Sequence, residues 1–285
     1  MTTESSILKL PEFIIGGAPK CGTSSLYFWL AAHPEVYGSP VKETFFYSDA
    51  KNNFGPGPHC SKDDVSVYAK YFQAASAHQK AFEATAHYLY CDNARTELMN
   101  LPTQPKMIFL LREPSMQMFS HYRMIRYRLN GKQTTFEDYC KKEDWHRLAD
   151  YSLHLSKWLE QWGHERVRVY LFEDLMRNKE AVLSDISNFL DIDSDFYSNF
   201  DFEHRNKTVK IKSGGLHQFG LKVQRYIPHG VQKLLLPLYM KFNSDVLPEM
   251  TDAERALLAT LKSEKRADRE ELQQLIPYLP LQLWD

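Results

Sequence analysis

Short apolar runs alternate along this chain with longer amphipathic segments. Phe13-Ile14-Ile15 has the length of a buried strand, and Ser24 to Ala32 after it has the make-up of a helix. Lys80 to Ala84 reads as a second strand. Lys106 to Leu111 reads as a third, strongly buried one, and Arg166 to Phe172 (RVRVYLF) as a fourth, partly alternating. Helical segments lie between them, at Tyr151 to Trp162 and Lys179 to Leu190. Strands separated by helices of this length predict an α/β fold, a P-loop-like central parallel sheet flanked by helices on both faces. Near the end, Thr251-Asp-Ala-Glu254 is a capping box. It predicts a helix running to about Gln274, with the charges from Lys262 to Glu271 as a solvated face. Asn52 to His59 (NNFGPGPH) is a turn-rich loop rather than a boundary. No linker or repeat divides the chain, so residues 1–285 read as one domain.

Composition narrows the function. With 285 residues, 43% apolar and 13% aromatic, the chain has ample material for a core, which excludes disorder and small stapled folds. Lys+Arg number 35 against 36 Asp+Glu. That balance argues against a nucleic-acid binder but leaves room for a local anion site. Four cysteines occur, Cys21, Cys60, Cys91 and Cys140, with no CxxC pair and no nearby His at zinc spacing. The expectation is reduced thiols in a cytoplasm and no metal, with a Cys60–Cys91 bridge as the alternative. The N-terminal residues lack a basic start followed by an apolar stretch, and no apolar run approaches a membrane helix. A cytoplasmic protein without a membrane span is expected.

The chemistry starts at Gly16-Gly17-Ala18-Pro19-Lys20-Cys21-Gly22-Thr23-Ser24-Ser25, between a buried strand and a helix. Glycines permit a tight turn and close approach of backbone to an anion. The helix start adds N–H groups and a positive dipole end, and three hydroxyls add donors. Gly17 to Gly22 has the spacing of a Walker A loop, but Thr23 stands where that loop needs lysine, and the lysine sits inside, at Lys20. A second anion element is Lys106-Met-Ile-Phe-Leu-Leu-Arg112-Glu-Pro114, a buried strand with a charged tip and a proline suited to the next helix's first turn. Ligands of doubly wound sheets collect at the carboxyl ends of strands. Arg112 there could take a phosphate in bidentate fashion if its strand neighbours the first; the competing reading pairs it with Glu113.

GGAPKCGTSSL, then KETFFY, then FLLREPxxxxxS, in this order and spacing, resembles the sulfotransferase superfamily, and within it the heparan sulfate and other carbohydrate sulfotransferases. The likeness continues through RVYLFEDL and NFLDI and more weakly into the terminal segment. It implies an α/β enzyme that transfers sulfuryl from 3′-phosphoadenylyl sulfate (PAPS) to a hydroxyl or amine of a carbohydrate, glycolipid or small metabolite. By that resemblance Pro19, Lys20, Cys21, Gly22, Thr23, Ser24 and Ser25 hold the 5′-phosphosulfate. Lys20 also steadies charge on the transferring group. Arg112 and Ser120 hold the 3′-phosphate, and Glu43 of KETFF is the general base. A late basic, glycine-containing loop closes over the nucleotide, with Lys212, Ser213 and Gly214 the best matches within Arg205 to Gly215. No metal is implied. In-line transfer of this kind needs positioned cations and donors rather than a protein nucleophile.

One departure concerns the acceptor side. Many carbohydrate-branch members carry Glu-Lys-Thr/Ser in the strand after KETFF, whereas this chain reads Phe82-Glu83-Ala84-Thr85-Ala86-His87-Tyr88. The second lysine is missing at Ala84, so either Lys20 suffices or another cation, such as Lys42, substitutes. Lys42, Glu83, His87 and Tyr88 are the candidate acceptor contacts, with His87 also a rival base or a structural histidine. His121 to Arg128, basic and aromatic, reads either as an entrance for an anionic acceptor or as a solvated helix face. Tyr151, Trp158 and Trp162 at helical spacing read as core. The rival functions are a P-loop kinase or NTPase, opposed by Thr23 and Arg112, and a catalytically inactive nucleotide-binding relative.

Overall fold

The computed structural model describes residues 8–49, 64–127, 134–202, 210–211, 244–245 and 247–285. A five-stranded sheet forms the centre: β1 Phe13–Gly17, β2 Val36–Gly38, β3 Lys80–Ala84, β4 Lys106–Leu111 and β5 Val167–Leu171. The spatial order is β2-β3-β1-β4-β5, and every neighbouring pair is parallel. Helices surround this sheet, as the alternating pattern predicts. The four strands read from the sequence are present within two residues of their expected ends. Val36–Gly38 is unforeseen, because three residues are too few to show a period, and so is a separate antiparallel pair, Lys210–Ile211 with Ser244–Asp245.

Strand order explains where a ligand can bind. The chain leaves β1, crosses to β2, returns as β3 beside β1, and then crosses to β4 on β1's other side. Connections therefore diverge around β1, which opens a crevice at its carboxyl end. The Gly-rich turn follows β1, the Glu43 segment bonds to the end of β3, and Arg112 ends β4. The condition that strands β1 and β4 be neighbours is met, with Phe13 opposite Lys106 and Ile15 opposite Ile108.

The main core covers the sheet, with Phe13, Ile14, Phe82, Ile108, Phe109 and Trp158 fully buried. Tyr151, Trp158 and Trp162 lie inside it, as their spacing predicted. A second, smaller core joins Met118, Phe119 and Tyr122 of helix Pro114–Tyr127 to Phe136, Tyr139, Leu258 and Leu261. The segment opened by the Thr251 capping box is two helices, Asp252–Glu264 and Arg266–Leu275, not the one expected. The break falls at Lys265, whose side chain turns inward to Asp150 and donates to the His146 carbonyl at 3.1 Å. Asp268 also leaves the solvated face, accepting from the backbone N–H of Tyr151 at 3.1 Å and of Ser152 at 3.0 Å. Two of the charges read as a solvated face are therefore structural.

Cys91 carries a free, buried thiol that donates to the His87 carbonyl at 3.2 Å. Cys60 itself lies outside the described residues. Among the described residues no helix is long and apolar enough to cross a membrane.

Candidate active site at the ends of three adjacent strands

The turn after β1 delivers the loop to helix Thr23–Ala31 through Gly22, at φ 92°. That left-handed conformation suits glycine, and a Cβ there would come within 2.7 Å of the Phe172 ring. Gly22 occupies the N-cap position and offers no side chain, and the first turn of this helix holds no acid. Some helix starts here are closed by their own side chains, Thr135 on Asp138 N–H and Thr251 on Glu254 N–H, and others, such as the one at Asn178, are not. The start at Gly22 is left without such a cap, an arrangement suited to an anion. Thr23 is buried, while Ser24 and Ser25 are half-buried around the same turn.

Lys20 is also left-handed, at φ 69°. A non-glycine residue held there costs about 1 kcal/mol, which the packed loop must offset. Pro19 is buried, and its carbonyl accepts from the buried Gln117 amide at 3.1 Å. Cys21 is buried near the Tyr151 hydroxyl, 3.7 Å away, and burial pushes its thiol up to about 12. It packs the loop and is not a nucleophile.

Arg112 ends β4 with its guanidinium over the Phe172 ring, 4.7 Å from the centroid, and 3.5 Å from the Lys20 carbonyl. Glu113 does not pair with it. That carboxylate caps helix Pro114–Tyr127, accepting from Ser115 N–H at 3.2 Å, Ser115 Oγ–H at 2.6 Å and Met116 N–H at 2.9 Å. Arg112 is thus left to face the loop. Ser120 is half-buried two turns into the same helix.

Glu43 is held at the end of β3, on β1's other side. Its N–H donates to the Ala84 carbonyl at 2.8 Å, its carboxylate accepts from Ala86 N–H at 3.0 Å, and Lys42 pairs with it at 2.5 Å. Glu43 and Phe45 both adopt left-handed backbones, at φ 62° and 52°. Lys42 is thus engaged with Glu43 next to Ala84, where the family's second lysine is missing.

Glu83 and Tyr88, expected as acceptor contacts, are fully buried and reach no surface. Glu83 accepts from Thr44 Oγ1–H at 2.6 Å, Thr85 Oγ1–H at 2.7 Å and Tyr88 O–H at 3.1 Å, and also from Tyr68. Burial raises its pKa against the pull of those four donors. The pair supports the Glu43 segment from below: Thr44 follows Glu43, and Tyr88's oxygen accepts from Tyr47 N–H at 3.2 Å. His87 is half-buried, its ring 5.5 Å from that of Phe45. His121 lies inside the protein, bonded to the Tyr139 hydroxyl at 2.8 Å. Burial, with the charges of His87 and Lys20 adding to it, holds its pKa down at about 4. Of the other basic residues there, Arg123 donates to the Pro248 carbonyl at 2.6 Å and Arg126 to the Thr134 carbonyl at 3.0 Å.

Of the segment Arg205 to Gly215 only Lys210–Ile211 is described, as a strand antiparallel to Ser244–Asp245; Lys212, Ser213 and Gly214 lie outside the described residues, as does Arg128. Gln117, Phe172 and Glu173 are supporting residues that the sequence did not single out, and Tyr151, read there only as core, is another. Only Phe172 and Glu173 had a signal there, inside the quoted RVYLFEDL. Among the described residues no group of three or more His, Cys, Asp or Glu could hold a metal ion.

Comparison with known proteins gives the family and the fold. A mouse protein named bifunctional heparan sulfate N-deacetylase/N-sulfotransferase 4 is 23% identical over 209 residues, which are 64% of this chain and 22% of that protein. The membrane-associated sulfotransferase kil1 of Dictyostelium discoideum is 28% identical over 168 residues, 58% of this chain and 32% of its own length. The chain thus spans less than a third of the curated relatives it matches. A sulfotransferase crystal structure from Alicyclobacillus acidocaldarius superposes with a TM-score of 0.68 at 23% identity, over 96% of this chain and 98% of that one, and shares the fold. The family model described as the sulfotransferase domain matches residues 10–230, so the chain belongs to the sulfotransferase family.

Proposed function

We propose that this chain, as one domain over residues 1–285, moves a sulfuryl group from PAPS to a hydroxyl or amine of a carbohydrate, glycolipid or small metabolite. One observation carries the reading: an uncapped helix start after β1 lies beside Arg112 at the end of neighbouring β4, with threonine in the Walker lysine position. Two anion sites side by side suit a nucleotide phosphorylated at both its 5′ and 3′ positions. The residues fit that group. Glycine at 22 lets the loop pack against Phe172 and leaves the helix start without a side-chain cap, and Glu113 is occupied as a cap, leaving Arg112 for a phosphate.

When bound, PAPS supplies the sulfuryl group and a good leaving group. The N–H groups and hydroxyls of residues 22–25 orient the 5′ end, and Lys20 compensates charge at the loop mouth. Arg112, with Ser120, holds the 3′-phosphate. Glu43, fixed by Ala86 N–H, takes the acceptor's proton at a carboxylate oxygen. The names of the heparan sulfate relatives support a carbohydrate acceptor. Free thiols at Cys21, Cys91 and Cys140 support a reducing compartment such as the cytoplasm.

The test is turnover of labelled PAPS across an acceptor panel, with Lys20→Ala beside the parent chain and thermal shifts by nucleotide. Acceptor-dependent transfer, lowered about 100-fold or more by Lys20→Ala, is expected. So is stabilisation by 3′-phosphoadenosine 5′-phosphate (PAP) rather than by ADP with Mg²⁺. Preference for ADP would establish the kinase reading instead. Background hydrolysis indifferent to Lys20→Ala would mark a non-catalytic nucleotide-binding module.

A further inference from the structure

The ends of β4 and β5 are in register, with Leu111 opposite Leu171. The next two residues of each chain then meet in pairs. Phe172 lies under the Arg112 guanidinium at 4.7 Å, and Glu173 takes the Glu113 backbone N–H at 3.0 Å. The second oxygen of Glu173 accepts from Trp284 Nε1–H at 2.9 Å, and that indole is buried. Phe172 also fills the space against Gly22. One short turn after β5 therefore touches the phosphate loop, the arginine and the peptide that follows the arginine.

We infer that Glu173, anchored by Trp284, is a positioning residue for recognition of the nucleotide's 3′-phosphate. The reason is geometric. The Arg112–Glu113 peptide is the last link between a rigid strand and a helix capped by Glu113 itself. Its carbonyl is held by the Tyr151 hydroxyl at 3.0 Å and its N–H by Glu173. Both faces of the peptide are pinned, so the direction in which Arg112 leaves the strand is set before any ligand arrives. A guanidinium that must meet a phosphate in bidentate fashion gains from such preorganisation. Trp284 completes it by holding the carboxylate's second oxygen, so that Glu173 cannot rotate away from Glu113. This rests on the reading of Arg112 as the 3′-phosphate ligand.

The readout is the ratio of affinities for PAP and AMP, which differ only in the 3′-phosphate, measured by calorimetry on the full chain. Glu173→Gln keeps the shape but turns an N–H₂ group toward one of its two donors. Trp284→Phe keeps the ring and removes the indole N–H. Each is expected to lower the PAP/AMP ratio roughly five- to tenfold with AMP affinity unchanged. Arg112→Ala, as control, should abolish the preference. An unchanged ratio in both variants, with Arg112→Ala collapsing it, would overturn the positioning role alone. Equal losses for PAP and AMP would show a merely structural brace and overturn it as well. If Arg112→Ala leaves the ratio intact, the 3′-phosphate reading falls, and this inference with it. Should Glu173→Gln fail to fold, Trp284→Phe decides by the same ratio.

Discussion

Single residues here do chemistry through the conformations they are held in. Gly22 is dictated twice, by its left-handed backbone and by the Phe172 ring against it, and Lys20 and Glu43 accept left-handed backbones although neither is glycine. Both of the latter carry proposed catalytic roles, which is where such strain is commonly retained. His121 is a different case, a titratable group that the fold keeps uncharged near Lys20. Its pKa of about 4 lies below the ordinary 6.5, because burial penalises the imidazolium and the nearby cations oppose it. Between these values the unfolded chain binds a proton that the folded one refuses. The stability His121 contributes is therefore complete above pH 6.5 and drains as pH falls toward 4. Linkage puts the loss at up to about 3 kcal/mol. Urea unfolding at pH 7 and pH 4.5 should show the parent chain losing more than His121→Gln by an amount of that order. Equal losses in the two proteins would remove His121 from the acid response.

At the scale of elements, β3 joins the sheet to the proposed base. Its central carboxylate, Glu83, pairs in register with Ile14 in the interior, where an apolar residue would ordinarily sit. Four hydroxyl donors satisfy it, from Thr44, Thr85, Tyr68 and Tyr88. Glu83→Gln keeps one acceptor oxygen and turns an N–H₂ group toward hydroxyls that can rotate to accept from it, and that change should cost about 1 kcal/mol. Glu83→Leu leaves the hydroxyls without their shared acceptor and should cost about 3 kcal/mol, releasing the Thr44 end of the Glu43 segment. Denaturant midpoints for the two variants check this; a leucine variant as stable as the parent chain would show that the cluster holds nothing. The sequence made β3 visible through its apolar residues. It hid Glu83's role because Tyr68, Thr44 and Tyr88 reach it from separate segments that no local period connects. The phosphate loop and Arg112 were legible for the opposite reason. Each lies at a strand end whose neighbours follow from topology, and each is a contiguous stretch of unusual composition.

For the whole molecule, the question is how the late helices bear on a site built from the first 120 residues. Periodicity and the Thr251 capping box made those helices readable, but the turn at Lys265 has no glycine or proline to announce it. The cause lies elsewhere in the chain: Lys265 is 4% exposed and pairs with Asp150, while Asp268 takes the first N–H groups of helix Tyr151–Trp162. That helix in turn carries Tyr151, which holds the Arg112 carbonyl, and Trp158, whose ring packs 5.1 Å from Phe109 of β4. The two late helices thus close the side of the molecule on which the arginine is positioned. Removing the cation from a fully buried pair costs 3–5 kcal/mol. The Asp150 side chain is 28% exposed, so water shares the loss, and Lys265→Met is expected to cost about 2 kcal/mol. Lys262 and Arg266, on the same helices but exposed, should change stability by no more than about 0.5 kcal/mol when replaced by methionine. Thermal unfolding of the three single variants separates the possibilities. A uniformly solvated charged face requires three equal, small effects, whereas the packed lysine requires one large effect and two small ones.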